Sequence, residues 1–214
     1  IQSIDPYPRL SLNFSGPPGT GKTLAAHYIA KQMNKSIIEV SYADIVSKYF
    51  GQAAKNLVEL YNFAIRSNAI LFIDEAETLL SKRTDTNSDG VDHAVNSMRS
   101  QLLILMERTP ILSIFASNMI QSYDIAFISR LLSLMFHLPV ISIRLEIWSS
   151  HLPKSLPIDT EVTPKTLAMR YDNLNGREIS RAVVEAAHRV AIEGRHLLTL
   201  SDFDWAVNFV KEGK

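Results

Sequence analysis

The chain contains no cysteine among its 214 residues, so it forms neither a disulfide nor a thiolate metal site. An intracellular, cytoplasmic location agrees with this absence but is not proved by it. An excess of one charge is missing as well, since 22 basic residues balance 22 acidic residues. The chain therefore has no overall basic field of the kind that indicates a nucleic-acid partner.

Long apolar runs are also missing. The longest apolar stretch is Ile125–Ile143. Because Arg130, His137 and Pro139 interrupt it, this stretch is too broken for a membrane span. The first eight residues are polar and contain two prolines, unlike a signal peptide with its basic and then apolar regions. We therefore expect no membrane segment in this chain.

A glycine-rich motif, GPPGTGKT, stands at Gly16–Thr23 and matches the P-loop pattern G-x-x-x-x-G-K-[ST]. An apolar strand precedes it and a helical segment follows, so successive backbone N–H groups and a helix N-terminus would surround an anion. Lys22 would reach the β- and γ-phosphates of a nucleotide, and the Thr23 hydroxyl would bind Mg²⁺. We expect the nucleotide contacts to come from Gly16, Pro17, Pro18, Gly19, Thr20, Gly21, Lys22, Thr23 and Leu24.

A second motif, AILFIDEAE, begins at Ala69 and contains the apolar run Ile70–Ile73. Such a run is typical of a strand that is buried on both faces of a parallel sheet. It delivers Asp74 and Glu75 at the carboxyl end, where ligands of open α/β sheets bind. Asp74 is placed to hold magnesium and Glu75 to polarise the attacking water. An acidic helix N-terminus would explain the charge, but not its occurrence together with a P-loop.

Strands alternate with helices in the first part of the chain, which predicts an α/β domain with a five-stranded parallel sheet between two helical layers. After Pro139 only helical patterns remain, so we expect an ATPase domain at 1–141 and a small helical lid domain at 142–214. We predict strands at Leu10–Phe14, Ile37–Val40, Ile70–Ile73, Ile111–Ala116 and Leu134–Leu138. We predict helices at Lys22–Asn34, Gln52–Arg66, Val91–Glu107, Ile125–Leu131, Ile143–His151, Pro164–Arg170, Arg177–Glu193 and Ser201–Val210, the last capped by Ser201.

These motifs, with Ser117-Asn118 after a strand, DIAFISR at Asp124–Arg130 and NGREI at Asn175–Ile179, follow one another across nearly the whole chain. The series resembles one ATPase module of the AAA+ superfamily, specifically the AAA family proper. The resemblance implies a P-loop NTPase fold, bound ATP or ADP with Mg²⁺, and a ring of usually six identical subunits with nucleotide between neighbours.

The resemblance also implies catalytic roles. Asn118 matches the sensor-1 position, from which its amide could reach the γ-phosphate or the attacking water, although it could equally cap the following turn. Arg130 matches the arginine finger that enters the active site of the adjacent subunit, an effect worth ~10³–10⁵ in rate in related reactions. Leu131, Leu132 and Ser133 follow where many relatives have a second arginine, so the contact in trans would depend on Arg130 alone.

Further nucleotide contacts are expected from the C-terminal part of the chain. His151 matches a family histidine that lies near the ribose, though it could also be a partly buried residue between two domains. Gly176 and Arg177 fall at the sensor-2 position. Much of the AAA family proper lacks arginine there, so the role of Arg177 stays open. A basic residue at a helix N-terminus opposes the helix dipole, which hints at a compensating anion.

Tyr49, Phe50 and Gly51 match the family's central pore loop, which grips protein substrates. Two adjacent aromatic rings beside a glycine are difficult to bury locally, and exposed apolar pairs usually mark a contact site; a small packed cluster under the loop is the alternative. The second pore loop is matched only loosely, with Arg83, His93 and Arg99 as candidates.

The chain is thus expected to hydrolyse ATP and to unfold, disassemble or translocate protein clients. A nucleic-acid-linked switch of the clamp-loader or initiator type is the alternative, and a nucleotide-binding assembly protein with little hydrolysis is a third possibility. The first strand begins ten residues into the chain, so we expect this sequence to be a fragment of a longer protein.

Overall fold

The computed structural model describes residues 10–46, 53–82, 90–118 and 123–213. Five parallel strands form one sheet in the order β2-β3-β4-β1-β5, which confirms the predicted α/β fold. The strands are β1 (Leu10–Ser15), β2 (Ile37–Ser41), β3 (Ile70–Asp74), β4 (Leu112–Ser117) and β5 (Leu132–Met135).

Side chains that alternate along the central strands form two apolar cores, one on each face of the sheet. Leu71, Ile73 and Phe115 belong to one core, whereas Ile70 and Phe72 belong to the other. Because neighbouring residues of a strand point to opposite faces, a continuous apolar run such as β3 serves both cores. The helices of this part are α1 (Lys22–Gln32), α2 (Tyr42–Val46), α3 (Ala53–Arg66), α4 (Glu77–Leu80), α5 (Gly90–Arg108) and α6 (Ile125–Ile128).

The register of the sheet brings three strand ends together. β4 lies between β3 and β1, with Ser117 opposite Ser15 and Phe115 opposite Ile73. Since all strands are parallel, the segments that follow β1, β3 and β4 leave the sheet at the same edge. Within this unit, the edge therefore collects Gly16 and Lys22 from the two ends of the P-loop motif, the Asp74-Glu75 pair and Asn118.

Two compact units make up the chain. One unit contains the residues up to Gly16 together with Lys22–Phe136, and the other contains Pro17–Gly21 together with His137–Lys214. The second unit has its own apolar core, with Trp148, Leu167 and Phe203 fully buried. Its helices are α7 (Ile141–His151), α8 (Pro164–Arg170), α9 (Gly176–Ile192) and α10 (Leu200–Lys211). The domain boundary at residue 141 stays a prediction.

Several element bounds differ from prediction. β5 begins two residues earlier than predicted and ends at Met135. Its position is fixed by its pairing with Leu12–Ser15 of β1 and not by the apolar run alone. Apolar content alone did not reveal two short helices, α2 and α4. The predicted cap of the last helix was also wrong, since Thr199 is the N-cap, in a capping box with Asp202.

Among the described residues, no helix is both long and apolar enough to cross a bilayer.

Candidate functional site at the carboxyl edge of the sheet

The first glycine of the P-loop is required by packing against the protein itself. Gly16 has φ = 141°, and a Cβ at this position would lie 2.0 Å from the carbonyl oxygen of Phe136. Its N–H donates to the Ser117 carbonyl oxygen at 3.3 Å, which ties the start of the loop to the end of β4. The observed constraint on this glycine is therefore the neighbouring backbone of Phe136.

The middle of the P-loop, Pro17–Gly21, belongs to the second unit. The Thr20 hydroxyl donates to the Pro17 carbonyl oxygen at 2.8 Å and closes a tight turn. Gly19 and Gly21 have φ of 74° and 97°, a conformation in which side chains are strained. Alternation of such residues with ordinary ones turns successive N–H groups toward one concavity, as in anion-binding loops.

Within the same unit, the carbonyl oxygen of Gly19 accepts a hydrogen bond of 3.1 Å from the N–H of Gly176. A Cβ on Gly19 would lie 2.5 Å from Asn175 Oδ1 and 3.0 Å from the Cβ of Arg177. Asn175 caps α9 in a capping box with Glu178. The Glu178 carboxylate, in the first turn of α9, accepts from the N–H of Asn175 at 2.8 Å.

Lys22, the P-loop lysine, is the first residue of α1 and is only 9% exposed. Its ammonium donates to the Gly16 carbonyl oxygen at 2.7 Å and to Asn118 Oδ1 at 2.9 Å. Both of these acceptors are neutral. A buried ammonium at the start of a helix that follows a glycine-rich loop is a suitable partner for an anion.

The acidic pair follows β3 through an unusual backbone turn. Glu75 has φ = 53°, which is uncommon for a residue with a side chain. Its N–H donates to Asp74 Oδ1 at 2.8 Å, and the N–H of the buried Ala76 donates to the Ala116 carbonyl oxygen at 3.0 Å. Strained backbone held by fixed contacts is frequent in active sites. The turn exposes the side chain of Glu75 and leaves Asp74 half-buried.

Asn118 follows β4 and connects two charged residues. Its side-chain oxygen accepts from Lys22, and its backbone N–H donates to Glu77 Oε1 at 2.5 Å. The sequence argument missed Glu77, the last residue of the DEAE motif, because nothing in the spacing shows which strand end its carboxylate faces. A carboxylate two residues after Glu75 was the only available signal.

An acidic cleft of about 340 Å³ opens beside the ends of β2 and β3. Its lining includes the carboxyl groups of Glu39, Asp44, Asp74 and Glu75. Hydrogen bonds from the backbone and hydroxyl of Ser41 hold the pKa of Asp44 below its usual value, which keeps this carboxylate charged. Four carboxylates would repel a triphosphate that carries no bound cation.

Arg130 lies two residues beyond α6, and Asp124 caps the start of this helix by accepting from the N–H of Ala126 at 2.9 Å. The Arg130 guanidinium binds Glu107 through Nε at 2.7 Å and the Ala126 carbonyl oxygen through Nη1 at 2.7 Å. The side chains of Arg130 and Glu107 are both substantially exposed. The sequence argument did not identify Glu107 as a partner, because 23 positions separate the two residues.

Other predicted residues fall outside this edge or outside the described residues. His151 is the last residue of α7 and is exposed, not partly buried. Tyr49, Phe50 and Gly51 lie outside the described residues, as does Arg83, and the side chain of His93 is not described. Arg99 is wrong as a pore candidate, because it is 6% exposed and donates to the Thr78 carbonyl oxygen at 2.8 Å and to the Ser81 hydroxyl at 2.6 Å.

Comparison with known proteins gives consistent matches. Residues 12–137 match the sequence profile described as "ATPase family associated with various cellular activities (AAA)". The proteasome-activating nucleotidase of Methanosphaerula palustris is 32% identical over 202 residues, which cover 90% of this chain and 48% of that protein. The proteasome-activating nucleotidase of Aeropyrum pernix is 31% identical, with coverages of 97% and 52%. The 26S proteasome regulatory subunit 4 homolog of Saccharomyces cerevisiae is 29% identical, with coverages of 93% and 47%. The chain thus spans about half the length of these relatives.

Proposed function

Because the chain belongs to the AAA family of ATPases, we propose that it binds and hydrolyses ATP in a ring of subunits that unfolds or disassembles protein substrates. The observation that carries the proposal is the contact between Lys22 and Asn118, 2.9 Å long, at adjoining strand ends. It brings the lysine of the P-loop motif to a polar side chain at the edge where β3 ends at Asp74 and Glu75 follows.

The residues at this edge fit a magnesium–nucleotide complex. Lys22, the N–H groups of Gly19 and Gly21, and the N-terminus of α1 would hold the phosphates. The Thr23 hydroxyl and the Asp74 carboxylate offer the hard oxygen ligands that Mg²⁺ prefers. Among the described residues, no group of three or more His, Cys, Asp or Glu could hold a metal alone. The ion would therefore share its coordination with phosphate oxygens and water, and when bound it would offset charge on the transferred phosphoryl group.

Glu75 would accept the proton of the attacking water. Its backbone turn leaves the Glu75 side chain exposed, whereas Asp74 is half-buried. One carboxylate would then serve the metal and the next would serve the water. Asn118 would orient the water or the γ-phosphate through its amide, after Lys22 exchanges the Asn118 oxygen for phosphate. ATP and ADP would differ in these contacts, because only ATP carries the γ-phosphate.

Arg130 would complete the active site of a neighbouring subunit. Its exposed position suits a contact in trans, and its present ion pair with Glu107 would have to be exchanged for phosphate. An exposed ion pair of this type contributes about 0–1 kcal/mol to stability, so its replacement by phosphate would cost little free energy. The finger would then couple hydrolysis to assembly of the ring.

Protein substrates follow from two lines of support. The relatives are named as proteasome-activating nucleotidases and a proteasome regulatory subunit. Tyr49, Phe50 and Gly51 would contact the polypeptide in the centre of the ring. The chain would work inside the cell, as a homo-oligomer with a protein client and without nucleic acid.

The central test compares two substitutions of the active-site edge. Glu75→Gln should bind ATP and retain it with turnover reduced at least about 100-fold, because proton transfer by a positioned base contributes roughly 10²–10⁴. Lys22→Ala should lose ATP binding. The measurements are nucleotide affinity and steady-state phosphate release in the assembled protein. Native turnover of Glu75→Gln would disprove the assignment of the base.

A mixing experiment tests the contact in trans. Arg130→Ala should keep its nucleotide affinity but lose turnover. Mixing it with Glu75→Gln subunits should restore part of the activity, at interfaces where Arg130 of one subunit meets an intact Glu75 of the next. Full turnover of Arg130→Ala alone would exclude the arginine finger.

The pore-loop assignment is tested by Tyr49→Ala. ATP hydrolysis should survive while unfolding of a tagged protein substrate is lost, because the substitution removes an aromatic contact surface without changing the phosphate site. Melting temperature is the control: a core aromatic replaced by alanine costs about 3–5 kcal/mol, so a large drop would indicate a packing role instead.

A further inference from the structure

We propose that Glu77 is a positioning residue, which holds the backbone of Asn118 so that its side chain stands at the γ-phosphate position. The inference rests on the role of Asn118 in the proposed function. Its geometric basis is the 2.5 Å hydrogen bond from the Asn118 N–H to Glu77 Oε1. A carboxylate acceptor makes this bond shorter and stronger than a bond between neutral groups.

The position of Glu77 is fixed by the turn that precedes it. Glu77 is the first residue of α4 and follows Ala76, which is fully buried and bonded through its N–H to the Ala116 carbonyl oxygen. The start of α4 is thus attached to β4 two residues before Asn118. A carboxylate at this point can reach the end of β4 without any displacement of the strand.

Asn118 is held from two sides. Its backbone N–H is bound by Glu77 and its side-chain oxygen by Lys22. The Lys22 contact would be exchanged when phosphate binds, whereas the Glu77 contact involves only the backbone and can persist. The Glu77 bond would then be what keeps the Asn118 amide in place during the reaction.

Glu77 also faces a buried phenol in the same unit. Burial raises the pKa of Tyr123 to about 12, and the negative charge of Glu77 acts in the same direction. The Tyr123 hydroxyl donates to Asn13 Oδ1 at 3.1 Å, which ties this phenol to β1. The half-buried carboxylate of Glu77, at the start of α4, therefore lies near the phenol that is bonded to β1.

A pair of substitutions separates positioning from direct catalysis. Glu77→Gln keeps an acceptor oxygen, whereas Glu77→Ala removes it. We expect Glu77→Ala to lower kcat about tenfold with KM for ATP changed less than about twofold, because a hydrogen bond to a charged group is worth on the order of a factor of ten or more. Glu77→Gln should recover part of the loss, because its amide oxygen still accepts the hydrogen bond but carries no charge. Glu59→Ala, which removes an exposed carboxylate from α3 of the same unit, should leave kcat unchanged.

A double-mutant cycle identifies the residue through which Glu77 acts. If Glu77 works only by holding Asn118, then Glu77→Ala combined with Asn118→Ala should be no slower than Asn118→Ala alone.

A second readout needs no turnover: in the nucleotide-free chain, the amide proton resonance of Asn118 should shift upfield in Glu77→Ala and much less in Glu77→Gln. Melting curves of each variant establish that it is folded.

Three results would overturn the proposal. Equal losses in Glu77→Gln and Glu77→Ala would mean that the charge itself acts, as a base or a metal ligand. Multiplied losses in the double variant would mean that Glu77 acts independently of Asn118. An unchanged Asn118 amide resonance in Glu77→Ala would mean that the bond is absent in solution. If Asn118→Ala alone kept full turnover, the role of Asn118 in the proposed function would fail first, and the amide resonance would still report the bond.

Discussion

The carboxyl edge of the sheet and the α9–α10 helix pair treat charge in opposite ways. At the sheet edge, Lys22 is buried against neutral oxygens of Gly16 and Asn118. In the helix pair, the buried carboxylate of Asp202 is matched by a guanidinium, with Arg195 Nη1 donating to Asp202 Oδ2 at 3.0 Å. These two acceptors of Lys22 are neutral oxygens, whereas the carboxylate of Asp202 is bound by a group of opposite charge.

The backbone shows the same contrast. Glu75 lies in a left-handed conformation at the sheet edge. At the N-terminus of α9, Asn175 and Glu178 form a capping box, and at that of α10 the Asp202 carboxylate accepts from the N–H and hydroxyl of Thr199. The other described non-glycine residues with positive φ are Asn34, Asn68 and Asn173, a residue type that tolerates this conformation, so Glu75 is the more strained case. Substitutions in the two regions should therefore differ in what they change.

The largest effect on stability is expected in the helical unit. Phe203 is fully buried and packs edge-on against Trp148, with ring centroids 5.9 Å apart. Phe203→Ala should lower the free energy of unfolding by about 3–5 kcal/mol, because it removes apolar contact and leaves a cavity. Chemical denaturation followed by circular dichroism measures the loss. A change below about 1 kcal/mol would mean that this core does not carry the stability of the unit.

Asp202 should produce the next largest effect, together with a pH dependence. Arg195, and more weakly the N–H and hydroxyl of Thr199, lower the pKa of Asp202 to about 2. Because the folded-state pKa lies below the unfolded value, the stabilisation is complete above about pH 4 and is lost as the pH falls through about 2. Asp202→Ala should cost on the order of 2 kcal/mol at pH 7.

The control for this prediction is the pH itself. The difference between Asp202→Ala and the parent should shrink as the pH is lowered from 5 toward 2, in melting curves recorded in parallel. A difference that stays constant over this range would attribute the loss to the capping geometry and not to the carboxylate charge.

Lys22→Ala should change unfolding little, by about 1 kcal/mol or less, since the lost hydrogen bonds are offset by removal of a buried charge. Its effect should appear instead with nucleotide. ATP and Mg²⁺ should raise the melting temperature of the parent, because a ligand that binds only the folded state stabilises it. The variant should show no such rise. An equal rise in both proteins would place the nucleotide elsewhere.

The smallest effect is expected at an exposed ion pair of α9. Arg181 Nε lies 3.5 Å from Glu185 Oε1, and the two side chains are 46% and 23% exposed. Glu185→Gln should change stability by less than about 0.5 kcal/mol, because solvent and salt screen such pairs. Salt titration of the melting temperature provides the check. A larger, salt-sensitive loss would show that charge pairs of this unit act as a network.

Much of the fold follows from local patterns. The apolar run at Ile70–Ile73 and the helix formers after Lys22 predicted β3 and α1 to within a few residues. These elements are determined by periodicity and by the motif glycines, which act over short distances. β5 was displaced because its bounds depend on pairing with β1, more than a hundred residues earlier. The cap of α10 moved from Ser201 to Thr199 because Asp202 completes a capping box only there.

The sequence by itself determined which residue types form the candidate site, because the functional groups of the P-loop and of the DEAE segment are close neighbours within each motif. It also determined that β3 is buried on both faces, since every position of its run is apolar. Only the tertiary structure decided that Glu77 faces the Asn118 backbone, that Arg130 binds Glu107 and that Arg99 is buried. These contacts join residues 41, 23 and 21 positions apart. Strand order and helix packing determine which residues meet in these contacts, and neither can be read from sequence spacing.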